Sequence, residues 1–400
     1  MINTMRGSLV AAIPMTDAQF GLLSSVFLWV YGLLSPFAGF LADRFNRSRV
    51  IIASLFTWSL VTWLTAHATT FGELLATRAL MGISEACYIP AALALIADYH
   101  RGTTRSLAVG VHMTGLMVGS GMGGLGGWIA ERQGWSHAFL IFGLAGVVFT
   151  AVAALLLRDL PREPGRPITM VSPVAAGQSS VQLREAFVSL FGRRAFVLTL
   201  AYWCLLGVAG ASVNTWMPSY FTEQFHLSQG TAGLSAMGYL SMGALIGMLV
   251  GGAWADRWSR SSEMGRIHVP AIGLAAAAPG LLLVANTDHL PLALAGLVFY
   301  GLTRAFSDSN MMPILCIVSD PRYRATGYGM LNCFGCVVGG GMIYVSGAMR
   351  DAQINVRLAF QFGAALLIVC SVLLLCVKAQ IQRSAGSMPG SGRADGSPPA

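Results

Sequence analysis

The stretch GFLADRFNRSR at residues 39–49 recurs in the same chain as GAWADRWSRSS at residues 252–262. Both copies join an apolar segment to a basic loop, and both contain Ala-Asp-Arg at the junction. Asp43 and Asp256 occupy the same place in the two copies, and their separation is slightly more than half the length of the chain. A match at this separation indicates two similar halves that follow one another.

The register extends beyond these two copies. Thr16 and Ser228 are separated by almost the same length of chain, and each precedes an apolar segment as a helix N-cap would. Gln19 completes a capping box with Thr16. Gly82 and Gly301 form a further pair at a slightly larger separation. Because the spacing changes so little along the chain, we expect the two halves to fold alike.

Composition places both halves in a membrane. Of the residues, 55% are hydrophobic and 10% are charged, and the mean hydropathy is +0.64. A soluble domain carries about 25% charged residues. The apolar residues form blocks long enough to cross a hydrocarbon core of about 30 Å as helices. We predict complete spans at 18–41, 50–67, 72–98, 106–130, 137–157, 195–220, 229–254, 268–285, 290–318, 326–348 and 355–377.

The predicted fold class is an all-α membrane protein, with two pseudo-symmetric six-span bundles around a central cavity. The first span is truncated, which leaves about eleven complete spans. Residues 7–13 form only a short apolar stub, whereas a full span, 195–220, precedes Ser228. About twenty residues of a full first span therefore have no counterpart in the sequence. Either the start codon lies upstream, or the protein has eleven spans.

The formal net charge of +8 comes from basic residues whose distribution among the loops indicates how the chain is oriented in the membrane. Most of the arginines, among them Arg47 and Arg324, fall on the loops of one side. The opposite loops hold only Arg132, Arg350 and Arg357. By the positive-inside rule, we expect the arginine-rich side and the C-terminus to be cytoplasmic. Because the basic residues lie in short loops beside spans, we predict the lipid bilayer as a partner and no nucleic acid.

The chain divides into four predicted segments. Residues 1–157 are the N-terminal transmembrane bundle, and residues 193–378 are the C-terminal transmembrane bundle. Residues 158–192 contain four prolines and are predicted to form a cytoplasmic linker. Residues 379–400 are rich in Ser, Gly and Pro, which is typical of a disordered tail, here cytoplasmic.

The repeated stretch resembles the hallmark of the major facilitator superfamily, G-x-L-A-D-R-x-G-R-(R/K), which lies between spans two and three. Asn46 replaces the second glycine of that motif, and Asn also tolerates positive φ. The resemblance covers residues 7–378 and implies a loop that latches the halves together at their cytoplasmic ends. The residues to which it assigns this gate are Gly39, Asp43, Arg44, Arg47, Asp256 and Arg257. The expected partners of Asp43 are the helix ends at 98–105 and 320–324.

Within the superfamily, residues 78–98 (RALMGISEACYIPAALALIAD) are similar to the Spinster-type and related organic anion:proton symporter branches. They match the Spinster pattern R-x3-G-x2-E-A-x-Y. The resemblance implies a role in proton coupling for Arg78 and Glu85, together with a first-span acidic residue that has no counterpart here. Glu85 follows Arg78 by two helical turns and so lies on the same helix face. The two could instead form a static ion pair that only fixes helix packing.

Arg304 takes the place of Glu85 in the repeat, and Asp308 follows it by about one helical turn. A fixed positive charge there could hold a substrate carboxylate, phosphate or phospholipid headgroup. Alternatively, the two residues could form a structural i,i+4 pair. Polar residues inside the spans are further candidates for the cavity wall, although aromatic residues there often serve only packing. These candidates are Asn214, Asn332, His112, Tyr31 and Tyr88.

The resemblance implies a secondary active transporter that moves a small organic solute by alternating access, in symport with protons or another ion. We favour an organic anion as the substrate. Two alternatives stay open: a Spinster-like exporter of lysolipids or other amphipathic lipids, and a non-transporting receptor or scaffold of the same fold. We expect a monomeric, multi-pass protein of a bacterial inner membrane.

The sequence motifs of other function classes do not occur in the chain. There is no nucleotide-binding loop, metalloprotease motif or nucleophile elbow, so we predict no enzyme activity, no cofactor and no metal site. The truncated first span adds one expectation. We expect the 400 residues to be insufficient for transport, and an upstream in-frame start to supply an apolar segment with an acidic residue.

Overall fold

The computed structural model of the protein describes residues 1–100, 104–159, 179–262 and 264–386. The side chains of residues 39–44, 105–107, 179–183, 325 and 384–386 are not described. The predicted gate residues Gly39, Asp43 and Arg44 fall within this second group. Most of the predicted linker and of the predicted tail lies outside the described residues.

The described residues are mostly helical and contain no β-strand. Two short 3-10 helices, Ile2–Met5 and Pro321–Tyr323, accompany the α-helices. The α-helices are α1 (Arg6–Ala12), α2 (Asp17–Arg44), α3 (Arg47–Thr65), α4 (Phe71–Ala86), α5 (Tyr88–Tyr99), α6 (Thr104–Met122), α7 (Gly124–Gln133), α8 (Trp135–Leu156), α9 (Ser179–Phe191), α10 (Arg194–Phe225), α11 (Gln229–Ser259), α12 (Gly265–Asn286), α13 (Leu290–Val318), α14 (Arg324–Asp351) and α15 (Val356–Gly386).

Within the described residues, 10 helical stretches are long and apolar enough to cross a membrane. Each coincides with a predicted span, which confirms the all-α membrane fold. The remaining predicted span, 106–130, coincides with α6 and α7, which meet at Gly123. The predicted caps are also present. The Gln19 N–H donates to the Thr16 hydroxyl at 3.2 Å, and Ser228 caps α11 in the same way.

Helices that are equivalent in the sequence repeat also pack against each other in the same way. A Cβ atom on Gly82 of α4 would lie 2.8 Å from the carbonyl oxygen of Phe27 on α2. A Cβ atom on Gly301 of α13 would lie 2.6 Å from the carbonyl oxygen of Leu240 on α11. Phe27 and Leu240 are separated by the same length of chain as Asp43 and its repeat partner. Equivalent glycines therefore allow equivalent helices to touch in the two halves.

The two halves meet along two interfaces that are related by this repeat. In one, α2 packs against α14, and a Cβ on Gly21 would lie 2.8 Å from the Ile343 carbonyl oxygen. In the other, α6 and α7 pack against α11, and a Cβ on Gly124 would lie 2.8 Å from the Gly233 carbonyl oxygen. Exchanging the halves converts one interface into the other, so a pseudo-twofold axis runs between them.

Three helices lie at the borders of the predicted segments. The predicted linker contains α9, whose Phe191 ring lies 5.8 Å from the Phe196 ring of α10. At the other end, α15 continues to Gly386, beyond the predicted end of the C-terminal bundle. The predicted stub forms α1, which corresponds through the repeat offset to the last two turns of α10.

The ends of the helices define two sides of the bundle. We call the side that holds the start of α3 and the end of α13 the basic side, because the arginine-rich loops lie there. The side that holds the starts of α2 and α11 is the far side. There, a Cβ on Gly347 of α14 would overlap the Asp17 carbonyl oxygen. Toward the basic side, Cβ atoms on Gly110, Gly115 and Gly119 of α6 would have nothing within 4 Å. The halves therefore touch closely on the far side, whereas these glycines of α6 face open space.

Candidate functional site

A helix interruption lies next to the candidate carboxylate Glu85. Pro90 has no N–H to donate to the carbonyl group four residues earlier, so the span breaks between α4 and α5. The Ser54 hydroxyl donates to the carbonyl oxygen of Ser84, close to the break. Interrupted helices at membrane depth occur where backbone lines a cavity or is buried in protein. Glu85 is therefore positioned at an irregular point of an otherwise regular span.

The Glu85 side chain is only partly buried. Among the described residues, its carboxylate has no hydrogen bond and no salt bridge. Arg78 lies within electrostatic range on the same helix, but the two do not form an ion pair. Seven residues of helix separate them by about 10 Å along the helix axis. A carboxylate without a fixed partner at this depth is costly, and it indicates access to water, a proton or a ligand.

Tyr31 on α2 lies close to Glu85 and to the opposite half of the protein. Its hydroxyl is within electrostatic range of Glu85 and of Tyr328 on α14, and near Asn332 on the same helix as Tyr328. The Asn332 side-chain nitrogen donates to the Ser35 hydroxyl at 2.9 Å. The structure thus brings together three predicted candidates, Tyr31, Glu85 and Asn332. The sequence did not single out Ser35 and Tyr328, which carry no charge and stand in no motif.

Arg78 lies deeper in the N-terminal half. The residue is 6% exposed, and its Nη2 atom donates to the Thr65 hydroxyl at 3.4 Å. The guanidinium carbon lies 5.5 Å from the centre of the Phe139 ring. Its Nε atom has no hydrogen-bond partner among the described residues. Arg78 therefore keeps a buried positive charge with hydrogen-bonding capacity to spare.

Arg304 and Asp308 form a pair in the C-terminal half. Arg304 Nη1 lies 3.0 Å from Asp308 Oδ2, and both side chains are partly exposed. Gly210 makes room for the guanidinium group, since a Cβ there would lie 3.0 Å from Arg304 Nη2. The Arg304 Nε atom and the hydroxyl of neighbouring Tyr300 have no hydrogen-bond partners in the described part of the chain. The predicted i,i+4 pair is present, and part of Arg304 stays unused.

The other cavity candidates have local partners. The Asn214 side-chain nitrogen donates to the Gly210 carbonyl oxygen at 2.9 Å, one turn earlier on its own helix. The His112 ring lies 5.8 Å from the Tyr88 ring, which in turn lies 5.1 Å from Trp58. Among the described residues, none of them forms a hydrogen bond or an ion pair with Glu85. They form separate groups in the two halves.

The predicted gate motif can be followed only in part, because three of its residues have no described side chain. Arg47 forms an ion pair with Asp98, and its Nη1 atom donates to the Ala94 carbonyl oxygen at 3.0 Å. Asp256 lies 3.4 Å from Arg266. Arg257 is exposed. Each of these described ion pairs joins helices of one half, not helices of opposite halves.

A charged cluster on the far side does join the two halves. Arg350 Nε lies 3.0 Å from Asp17 Oδ2, and Arg350 Nη1 lies 3.0 Å from Glu223 Oε2. Arg6 Nε donates to Asp17 Oδ1 at 2.7 Å. We call Arg6, Asp17, Glu223 and Arg350 the far-side cluster. The sequence could have indicated this cluster, because Arg350 is one of few arginines on the loops of that side.

Comparison with known proteins adds sequence relatives. The family described as Major Facilitator Superfamily matches residues 1–343 of this chain. Probable anion transporter 4, chloroplastic, of Arabidopsis thaliana is 28% identical over 375 residues, which cover 89% of this chain and 68% of the relative. The sphingosine-1-phosphate transporter SPNS2 of Mus musculus is 27% identical over 354 residues, covering 84% of this chain and 63% of the relative.

A solved structure shares the fold. It is the crystal structure of a bacterial homologue of the human lysosomal transporter Spinster, in an inward-facing and unoccupied conformation. The TM-score is 0.68 at 20% sequence identity, and the match covers 96% of this chain and 94% of the other.

Proposed function

Because this chain belongs to the Major Facilitator Superfamily, we propose that it is a proton-coupled secondary transporter that moves a small organic anion by alternating access. The observation that carries this proposal is the Glu85 carboxylate, which lacks an ion-pair partner among the described residues and lies at a helix interruption in the N-terminal half. Tyr31, on the helix that packs against α14 of the opposite half, is within electrostatic range of it. Glu85 is the proposed proton site.

The coupling follows from the surroundings of Glu85. When water reaches the carboxylate, its charged form is solvated and the proton can leave. When the cavity closes and water is excluded, the charged form is disfavoured and Glu85 takes up a proton. Tyr31 and Asn332 lie on the two surfaces that must separate or approach during this change, so bundle movement alters the surroundings of Glu85 directly.

Two arginines support an anionic substrate. In the described part of the chain, Arg78 is buried with an unpaired Nε atom, and Arg304 has an unpaired Nε atom beside its bond to Asp308. A substrate carboxylate could replace Asp308 on Arg304, since a guanidinium group binds carboxylates through two parallel hydrogen bonds. The Arabidopsis relative named as a probable anion transporter agrees with this substrate class.

The conformation of the chain also fits such a transporter. With the basic side and the C-terminus placed in the cytoplasm, closure on the far side makes this an inward-facing state. The structural relative is described as inward-facing as well. We place the protein as a monomer in a bacterial inner membrane, with protons as the coupling ion.

The test is transport by the purified full-length protein in liposomes under an imposed proton gradient, with a panel of labelled organic acids. Glu85→Gln should abolish gradient-driven uptake but spare exchange at equal pH on both sides, because the amide keeps the packing and loses the titration. Glu73→Gln is the matched control. Glu73 accepts a hydrogen bond from the Thr70 N–H at 3.2 Å in the capping box of the same helix, which glutamine also supports. Full gradient-driven activity in Glu85→Gln would show that the proton site lies elsewhere.

An amphipathic lipid is the second candidate substrate, because the mouse relative is named as a sphingosine-1-phosphate transporter. The same liposomes distinguish the two, since fluorescent lysolipid movement that organic acids do not inhibit would favour the lipid. A third outcome is binding of a solute without any flux. That result would favour a receptor or scaffold of the same fold.

A further inference from the structure

The far-side cluster joins charged groups from opposite halves. Arg6 and Asp17 belong to α1 and α2, whereas Glu223 and Arg350 lie near the ends of α10 and α14. The side chain of Arg350 is 10% exposed and that of Asp17 is 14% exposed. Salt and water therefore screen their attraction only weakly. The Arg350 guanidinium carbon also lies 5.0 Å from the centre of the Trp216 ring, which fixes its position.

Each half also caps a helix of the other half. Asp351, at the end of α14, accepts hydrogen bonds from the N–H groups of Asp17 at 2.8 Å and Ala18 at 2.9 Å. Glu131, near the end of α7, accepts a hydrogen bond from the Gly230 N–H at 2.6 Å. A carboxylate at a helix N-terminus satisfies free N–H groups and is favoured by the helix dipole. Because α2 and α11 are equivalent in the repeat, the two caps are related by the pseudo-twofold axis.

We propose that the far-side cluster and these two caps form the gate of the far side. The Arg350–Asp17 and Arg6–Glu223 ion pairs, at 3.0 and 3.8 Å, and the cap hydrogen bonds cross between the halves, so they break together when the far ends separate. The Arg6–Asp17 and Arg350–Glu223 pairs each stay within one half and hold these side chains in place. On the basic side, the described ion pairs stay within one half and survive such a movement. The gate therefore holds the resting protein in the far-side-closed state. This inference rests on the alternating access of the proposed function, but not on its substrate or on its proton site.

The test measures the distance between the far ends of the two halves. Spin labels are attached to non-canonical amino acids at Gln133 and His289, both exposed, which leaves the native cysteines in place. We expect mainly short distances for the otherwise unchanged full chain. Arg350→Gln should raise the far-side-open population about tenfold, which corresponds to a loss of about 1.4 kcal/mol. Glu223→Gln should raise it by a smaller factor, because it removes only the longer Arg6–Glu223 pair between the halves, at 3.8 Å, and leaves the Arg350–Asp17 pair in place.

Two further variants make the test specific. Arg357→Gln is the matched control, since Arg357 is a far-side arginine whose partner, Asp288 at 3.8 Å, belongs to the same half. It should leave the distances unchanged. Arg350→Gln combined with Glu223→Gln should shift the population further than Arg350→Gln alone, because the two changes remove different ion pairs between the halves, Arg350–Asp17 and Arg6–Glu223.

The proposal is overturned if neither Arg350→Gln nor Glu223→Gln changes the distance distribution, or if Arg357→Gln changes it equally. If Arg350→Gln does not fold, Glu223→Gln decides the question, because its side chain is 48% exposed and tolerates an amide. The distances are measured without substrate or proton gradient. A failure of the proposed transport therefore leaves this result interpretable.

Discussion

The two sides of the bundle hold the same kinds of charged residue in different ways. On the far side, two of the described ion pairs run from one half to the other, between Arg350 and Asp17 at 3.0 Å and between Arg6 and Glu223 at 3.8 Å. On the basic side, the described ion pairs stay within a half, as between Arg193 and Asp320 at 3.8 Å. The packing around glycines also differs between the two sides. A Cβ on Gly347 would overlap α2, whereas a Cβ on Gly115 would face open space.

This difference teaches which contacts are permanent and which belong to one conformation. Pairs inside a half keep its helices together while that half moves as a body, so they persist in every state of an alternating-access cycle. Pairs between the halves exist only while that side is closed, and their strength sets how much of the protein rests there. The predictions below test this division with matched changes on the two sides.

We expect the largest effect from a methyl group placed in the closed interface. In Gly347→Ala, the added Cβ would overlap the carbonyl oxygen of Asp17 on α2, and backbone atoms cannot move aside cheaply. Overpacking of this kind costs about 1–3 kcal/mol. The far ends should therefore separate, and the far-side label distance should lengthen. Gly115→Ala is the control, since nothing lies within 4 Å of its Cβ.

Label distances and thermal unfolding together check this prediction. Gly115→Ala should keep the far side closed and should not lower the unfolding temperature, because alanine favours helix over glycine. Equal destabilisation by both substitutions would mean that α6 is packed as tightly as α14, and the contrast between the two sides would be lost.

Much of the fold could be predicted from the sequence, since each span depends on a local run of apolar residues. The copies around Asp43 and Asp256 then revealed the two halves. The far-side closure was not predictable in this way. Asp17 and Asp351 lie near opposite ends of the chain, and their contact depends on how two bundles dock. Neither residue belongs to a motif that would predict this contact.

The candidate site was predictable residue by residue but not as an arrangement. Tyr31, Glu85 and Asn332 could be selected because polar groups are costly in lipid. Which of them meet depends on the rotation of each helix about its axis, which hydropathy does not report. Asn214 illustrates the limit, because its amide bonds to the Gly210 carbonyl oxygen of its own helix.

A smaller effect is expected from removing a helix cap that crosses between the halves. Asp351→Ala and Glu131→Ala each delete the carboxylate that caps a helix of the opposite half, and loss of a cap costs about 0.5–2 kcal/mol. Both should shift the label distances toward the far-side-open state, and by similar factors because they are pseudo-symmetric. Asn46→Ala deletes a cap within one half, the hydrogen bond from the Arg49 N–H at 3.4 Å.

Comparing label distances with unfolding temperatures shows whether a cap affects the conformation of the protein or only its stability. Asn46→Ala should lower the unfolding temperature slightly and leave the distances unchanged. A shift in the distances for Asn46→Ala, or none for Asp351→Ala, would show that crossing between the halves is not what makes a cap conformationally important.

The smallest effect concerns Asp320, a charged group of the basic side that lies between two spans. Hydrogen bonds from the Arg322 side chain and backbone N–H hold the pKa of Asp320 below its usual value. The backbone bond is 3.0 Å long and the closer side-chain bond, from Nη2, is 3.2 Å long. Because Arg322 and Asp320 belong to the same half, this contact should not respond to opening or closing.

The sign of its pH dependence follows from the lowered pKa. A carboxylate whose pKa is lower in the folded state stabilises that state above the usual aspartate pKa of about 3.9, and this contribution is lost as pH falls through the folded value. The difference in unfolding temperature between the unchanged chain and Asp320→Asn should thus stay constant from pH 8 to about 5 and shrink only below about 4. Because Arg322, the partner of Asp320, is 76% exposed, solvent screens this pair and the difference should be small throughout. A difference that already disappears between pH 7 and 5 would mean that Asp320 titrates as a perturbed group at the interface of the halves, and the basic side would then resemble the far side.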